Sequence, residues 1–248
     1  MNHQGYTLLE VTLFLAISSL LTIVAFIGLG PRLRNIRFTA ATRDLQSGLS
    51  RQFTDAAVGE TGRVANFQCS SSTGAPVVSS KTGDTTATSG DCIINGRLAV
   101  FDTKQVTYYS IISLRNCETS GASNLFATIV DSCQPLVQTD STLSPAPQTA
   151  MYDSGMTIKN TDTSANRFAF GYIQDPNSTA RYSFVYTGPS VELSSRLFVS
   201  TAKGAINTLR DSAEHTICAK LSTRNAAFVF TTDQELPDLR YNQVGCTS

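Results

Sequence analysis

Glu10 is a carboxylate near the start of a long apolar run, where a charge is costly. The run begins at Tyr6, and no charged side chain occurs from Val11 to Pro31. At about 1.5 Å of helical rise per residue, this run is long enough for a hydrocarbon core of about 30 Å. A carboxylate near a membrane interior costs on the order of 2.5–3.5 kcal/mol and is rarely found there without a partner.

Gly5 stands just before the apolar run and suggests where that partner comes from. Cleavage after Gly5 would make Tyr6 a new amino terminus, with Glu10 four positions further on. Four residues are about one helical turn, or the same depth in a neighbouring staggered copy. The spacing therefore predicts an ion pair between the Tyr6 ammonium and the Glu10 carboxylate.

The segment Met1–Val11 resembles the class III signal sequence of type IV pilins and type II secretion pseudopilins. That pattern is a short polar leader ending in Gly, then an aromatic residue, Thr, two aliphatic residues and Glu, followed by an apolar helix. The resemblance covers roughly the first 50 residues, and the remaining chain shows none. Tyr6 stands where Phe is usual, and the leader contains no Lys or Arg.

The resemblance implies a processing and assembly pathway. A prepilin peptidase would cleave between Gly5 and Tyr6, and Tyr6 would be N-methylated. Glu10 would recruit the subunit into a filament by pairing with the Tyr6 amine of a neighbour. An ordinary N-terminal membrane anchor whose Glu10 snorkels to the interface is the alternative. A secretory signal peptide fits less well, because the positive n-region is missing and the apolar run is too long.

The implied location is the cytoplasmic membrane, crossed once, with the C-terminal domain outside and later in an extracellular or envelope-spanning filament. Arg32, Arg34, Arg37 and Arg43 follow the apolar run and would favour the opposite orientation. The cysteines agree with an exported domain, since all six lie beyond the run and none forms a Cys-x-x-Cys pair. Sequential closure predicts the disulfides Cys69–Cys92, Cys117–Cys133 and Cys218–Cys246, with free buried thiols as the alternative.

The remaining chain offers little for catalysis or metal binding. After leader removal His215 is the one imidazole, and no Gly-x-Ser-x-Gly elbow surrounds a serine. His215 and Cys218 have the spacing of two metal ligands but no second pair accompanies them. We therefore expect no enzyme activity, no cofactor and no metal. A calcium site remains an alternative for the dispersed acids Asp131, Asp140, Asp153 and Asp162, and Asn177-Ser-Thr is a formal glycosylation sequon.

Charge argues against a DNA-binding role for the exported part. Residues 1–53 hold five of the 19 basic and two of the 19 acidic residues, so residues 54–248 carry a net charge of −3. DNA therefore stays a possible partner that bulk charge does not support.

Secondary-structure patterns predict one long helix followed by strands. Gly28, Gly30 and Pro31 predict a kink or an extended stretch, or else the end of the helix. An amphipathic pattern then predicts helix to Phe53, with an apolar face of Leu33, Ile36, Ala40 or Ala41, Leu45, Leu49 and Phe53. Strands are predicted at Arg97–Phe101, Val106–Leu114, Leu125–Val130, Arg167–Ile173, Arg181–Thr187, Arg196–Ser200 and Ala226–Thr231.

Turn signals divide these strands. Asp175-Pro-Asn-Ser-Thr and Asn95-Gly96 read as turns, and His215–Cys246 as a final hairpin. The segments Ser70–Gly90 and Gln134–Gly155 read as long loops.

The predicted fold class is α+β, pilin-like, with a long N-terminal helix, membrane-spanning in its first half, packed on an antiparallel β-sheet. Its domains are a leader (1–5), a transmembrane and filament-core helix (6–30), an amphipathic continuation (31–53) and an exported, disulfide-bearing β-rich domain (54–248).

The expected function is a structural subunit, a minor pilin or pseudopilin of a type IV pilus or type II secretion-like filament. Its partners would be other pilin subunits, the prepilin peptidase, the assembly platform and the cytoplasmic membrane. The alternatives are a pilus-tip module whose two long loops bind DNA, a surface or a secreted substrate, and a simple membrane-anchored extracellular domain.

Overall fold

The computed structural model describes one helix and twelve strands. The described residues are 7–57, 67–70, 77–80, 92–115, 117, 133, 135–143, 146–152, 155–160, 167–177, 181–188, 215–221, 223–230, 238–241 and 246. Helix α1 is Leu8–Ala57, and the strands are β1 (Phe67–Ser70), β2 (Val77–Ser80), β3 (Cys92–Phe101), β4 (Gln105–Leu114), β5 (Leu136–Gln138), β6 (Gln148–Met151), β7 (Thr157–Asn160), β8 (Arg167–Gln174), β9 (Arg181–Gly188), β10 (His215–Leu221), β11 (Arg224–Phe230) and β12 (Asp238–Tyr241).

Helix α1 is continuous from Leu8 to Ala57. The backbone stays helical through Gly28, Gly30 and Pro31, so the predicted extended stretch does not occur. The chain divides into two compact units, Met1–Ala41 and Thr42–Ser248. The boundary therefore falls within α1, and only the end of the helix belongs with the strands.

The last part of α1 contacts the strands of its own unit. Thr42 Oγ1 lies 3.2 Å from Tyr241 Oη of β12, and Gln52 Nε2 donates to Gln148 Oε1 of β6 at 3.0 Å. Within this unit the buried positions of the helix recur every three or four residues, as the amphipathic pattern requires: Thr42, Leu45 and Leu49. The prediction that Leu33 and Ile36 share this buried face is wrong, because both side chains are exposed.

All described strand pairs are antiparallel, and they form three sheets. The six-stranded sheet has the order β5-β4-β3-β8-β9, with β6 also paired to β4. The four-stranded sheet has the order β12-β11-β10-β7, and β1 and β2 form a two-stranded sheet. Two predicted loops are partly wrong, because Ser70–Gly90 contains β2 and Gln134–Gly155 contains β5 and β6.

Five predicted strands correspond to observed ones, namely β3, β4, β8, β9 and β11, and β10 with β11 forms the predicted C-terminal hairpin. β8 and β9 pair from Gln174 and Arg181 outward, as the predicted turn at Asp175 requires. The predicted strands Leu125–Val130 and Arg196–Ser200 lie outside the described residues.

The Asn95-Gly96 signal is a bulge inside β3, so the predicted turn is wrong. The pairing register with β4 shifts between Ile94 and Gly96. Asn95 Nδ2 donates to the Gln174 carbonyl at 2.8 Å, and a Cβ on Gly96 would lie 2.3 Å from the Tyr172 carbonyl oxygen. Glycine is needed here because the β8 backbone approaches so closely.

Four phenylalanines form the core where the two larger sheets meet. The Phe230 ring of β11 lies 6.0 Å from Phe101, 5.0 Å from Phe168 and 4.7 Å from Phe170, measured between ring centroids. All four side chains are at most 2% exposed. Tilted and edge-on arrangements at these distances are favourable for aromatic rings.

A row of buried polar side chains crosses the six-stranded sheet beside these rings. Gln138, Ser110, Arg97 and Tyr172 are consecutive cross-strand partners on β5, β4, β3 and β8. The Arg97 guanidinium donates to the Ser110 hydroxyl. Buried polar contacts of this kind help to fix the register of neighbouring strands.

Two buried tyrosines make the folding stability fall at alkaline pH. Burial raises the pKa of Tyr108 from 10.0 to about 12, and burial raises that of Tyr152 further. The tyrosine hydroxyls ionise at a lower pH in the unfolded chain than in the folded one. The stabilisation that depends on their staying protonated is therefore complete below pH 10 and is lost as the pH rises toward 12.

We expect the urea midpoint to fall across that interval, and to fall less steeply in Tyr108→Phe. An identical pH dependence in Tyr108→Phe and wild type would contradict this assignment.

Two disulfides close segments of the β-rich unit. Cys117 bonds to Cys133 and Cys218 to Cys246, with Cα–Cα distances of 5.0 and 5.5 Å. Both match the predicted pairs. Cys92 is also disulfide-bonded. The side chain of Cys69 lies outside the described residues, so the pair Cys69–Cys92 stays a prediction.

The predicted fold class is wrong. Antiparallel strands in three sheets dominate the described chain, where the prediction was one long helix laid across a single sheet. The first part of α1 belongs to a separate compact unit and is exposed. Among the described residues, no helix has the length and apolarity needed to cross a membrane. That finding contradicts the predicted membrane-spanning half-helix and the single-pass location in the cytoplasmic membrane.

Candidate assembly interface

The first half of α1 presents large apolar side chains to its surroundings. Leu8 is 83% exposed, Phe26 73% and Phe14 69%. Exposed side chains at three consecutive positions, Leu13, Phe14 and Leu15, point in directions about 100° apart. The apolar surface therefore surrounds the helix and is not confined to one stripe. A helix that is apolar all round is normally buried on every side.

Three hydroxyl groups in this segment already have acceptors within the helix. Thr12, Ser19 and Thr22 donate to backbone carbonyls three or four residues earlier, at 2.9, 2.9 and 2.8 Å. Such bonds remove the need for an outside acceptor. The segment can therefore enter an apolar environment without leaving these donors unpaired.

Glu10 lies in the first turn of α1, beside a threonine cap. The Glu10 N–H lies 3.0 Å from the Thr7 carbonyl oxygen and 3.3 Å from Thr7 Oγ1. Thr7 thus occupies the N-cap and Glu10 the third helical position, which is the Thr-x-x-Glu arrangement of a capping box. A carboxylate is also favourable at this end of the helix dipole. The Thr7-x-x-Glu10 spacing is itself a sequence signal for the start of a helix, in addition to the charge of Glu10.

The cap makes Thr7 a testable contributor to the helix start. Thr7→Val keeps the shape but removes the acceptor, which typically costs about 1 kcal/mol of local helix stability. We expect roughly fivefold faster amide hydrogen exchange at Glu10, whose N–H is the one that bonds to the Thr7 hydroxyl. Thr7→Ser, which retains the hydroxyl, should behave like wild type. Unchanged exchange in Thr7→Val would show that the hydroxyl does not cap the helix.

The structure brings few of the other predicted site residues together. Gly5 and Tyr6 lie outside the described residues, so the predicted cleavage site and the Tyr6–Glu10 pair stay predictions. The side chain of His215 is also outside them, and Cys218 is bonded to Cys246, which removes its thiolate as a ligand. Of the part of the chain that the structure describes, no group of three His, Cys, Asp or Glu could hold a metal ion.

Asp140 is the one described member of the proposed calcium acids, and it has a local role. Its Oδ1 accepts from the Thr142 hydroxyl at 2.7 Å and from the Thr142 N–H at 2.8 Å. These bonds lower the pKa of the Asp140 carboxyl. Asp131, Asp153 and Asp162 lie outside the described residues. The Asp140 carboxylate therefore stabilises a local turn with Thr142.

Asn177, the sequon asparagine, is engaged by the fold. Its side-chain amide donates to the Cys117 carbonyl, and its backbone N–H donates to Asp175 Oδ1 at 3.0 Å. The amide therefore ties the turn after β8 to the Cys117–Cys133 disulfide. A glycan on this nitrogen would compete with that contact.

No protein family model, curated protein or solved structure matches this chain. The N-terminal motif and the apolar surface of α1 are therefore the features that indicate a function.

Proposed function

We propose that this chain is a structural subunit, a minor pilin or pseudopilin, of a type IV pilus or type II secretion-like filament. A prepilin peptidase would cleave it between Gly5 and Tyr6 and an assembly platform would add it to the filament. The observation that carries the proposal is the apolar surface that surrounds the first half of α1.

The size of this surface supports burial against other proteins. Exposed apolar patches beyond a few hundred Å² usually mark interaction sites. Fully burying one side chain such as Leu21 or Phe14 stabilises by about 1.5–3 kcal/mol. The large exposed side chains of the segment are Leu8, Leu9, Val11, Leu13, Phe14, Leu15, Ile17, Leu20, Leu21, Ile23, Val24 and Phe26.

The distribution of this surface favours a filament over a simple pair. One partner helix covers one side of α1, whereas Leu13, Phe14 and Leu15 point to different sides. Full burial needs several neighbours around each helix. A filament with the N-terminal helices at its centre supplies them, while the unit Thr42–Ser248 forms its own core.

Filament shearing tests the proposal in the organism that makes the chain. Filaments sheared from cells and pelleted should contain the chain, and a host unable to assemble filaments should release none. The amount should be compared with that of the major subunit in the same pellet. Absence of the chain from filaments that are otherwise normal would contradict the proposal.

A further inference from the structure

Glu10 and Arg32 mark two points on the same face of α1. At about 100° per residue, Arg32 is rotated only about 40° from Glu10, and the helix between them is continuous. Both side chains are exposed, and residues 11–31 carry no charge. The rise between them is about six turns, or roughly 33 Å. One face of the helix thus carries an acid and a base separated by an uncharged segment.

Each of these charges is followed, one turn later, by an exposed apolar side chain. Phe14 follows Glu10 and is 69% exposed, and Ile36 follows Arg32 and is 64% exposed. Residues four apart lie next to one another on a helix surface. The face therefore carries the same four-residue spacing twice. The acid Glu10 is followed by Phe14, and the base Arg32 is followed by Ile36.

We propose that neighbouring copies pack in parallel with a displacement of about six helical turns, so that Glu10 of one copy pairs with Arg32 of the next. Phe14 then packs against Ile36 in the same register. This inference rests on the proposed filament function and adds the partner surface and the register. The pairing complements, and does not replace, the Tyr6 amine that the N-terminal resemblance implies.

Charge complementarity selects this register over the simplest alternative. Parallel copies with no displacement would place Glu10 against Glu10 and Arg32 against Arg32. Like charges that face each other across an interface cost several kcal/mol. A displaced contact joins two different surfaces of the same chain, so a pair of copies leaves one Glu10 and one Arg32 available for the next copies. Such head-to-tail contacts extend into open helical filaments.

Arg34 supplies a matched control, because it is rotated about 160° from Arg32. Full-length variants expressed in the native host should be compared for their amount in sheared filaments. We expect Arg32→Glu to lower incorporation roughly tenfold, and Arg34→Glu to lower it much less. Equal incorporation of Arg32→Glu and Arg34→Glu would overturn the register.

Disulfide trapping tests the contact without changing a charge. None of the described cysteines is a free thiol. Cells producing Phe14→Cys and Ile36→Cys chains together should therefore yield a crosslinked dimer from oxidised filaments. Phe14→Cys alone should yield little, and a strong crosslink from it alone would overturn the displaced register. Wild-type chain missing from filaments would overturn the proposed function itself, whereas normal filaments with the wrong crosslink overturn only the register.

Discussion

Leu21→Lys is expected to abolish incorporation of the chain into filaments while leaving the β-rich unit folded. Leu21 is 62% exposed in the single chain, in the middle of the apolar segment of α1. In the proposed filament it is buried among neighbouring helices, where an unpaired ammonium is penalised by several kcal/mol. We expect at least a roughly tenfold fall in the sheared fraction.

Ser47→Lys is the matched control for this prediction. Ser47 is an exposed residue of the same helix, within the unit Thr42–Ser248, and its hydroxyl donates to the Asp44 carbonyl at 3.0 Å. The same new charge at this position should leave incorporation near the wild-type amount. Normal incorporation of Leu21→Lys would show that the apolar segment is not buried by assembly.

Phe230→Ala is expected to give the largest loss of folding stability. The Phe230 side chain is 0% exposed and contacts the rings of Phe101, Phe168 and Phe170. Its removal opens a cavity between the two larger sheets, and such substitutions typically cost about 3–5 kcal/mol. Urea denaturation of the full-length chain, followed by circular dichroism, measures the change in the free energy of unfolding.

Met151→Ala provides the comparison for that measurement. Met151 lies in β6 and is 80% exposed, so its truncation should change the free energy of unfolding by less than about 0.5 kcal/mol. Similar losses in the two variants would contradict the central place of the Phe230 cluster. A stable Phe230→Ala chain would place the core elsewhere in the unit.

The sequence predicted those elements whose pattern is strong and local. Alternating residues in β8 and β9 gave both strands and their turn, and the order of the cysteines gave the pairs Cys117–Cys133 and Cys218–Cys246. The strands β5 and β6 were not predicted, because Leu136–Gln138 and Gln148–Met151 are short and lack a clear alternating pattern. They form because the edge of β4 offers backbone hydrogen-bonding groups to both.

The larger errors came from extending a local signal too far. The N-terminal motif covers about 50 residues, and the fold class was inferred from it for the whole chain. It could not reveal that the strands divide into three sheets or that the compact units meet within α1. Asn95-Gly96 was misjudged for a related reason, since only the close approach of β8 distinguishes a bulge from a turn.

The measurement that tests the central claim most directly is the intact mass and N-terminal sequence of the chain isolated from its native host. Processing as a filament subunit predicts a chain that begins at Tyr6 and carries the additional mass of one methyl group. A Gly5 variant with a larger side chain should retain Met1 under the same conditions. A wild-type chain that still begins at Met1, in cells with an active prepilin peptidase, would contradict the proposed function.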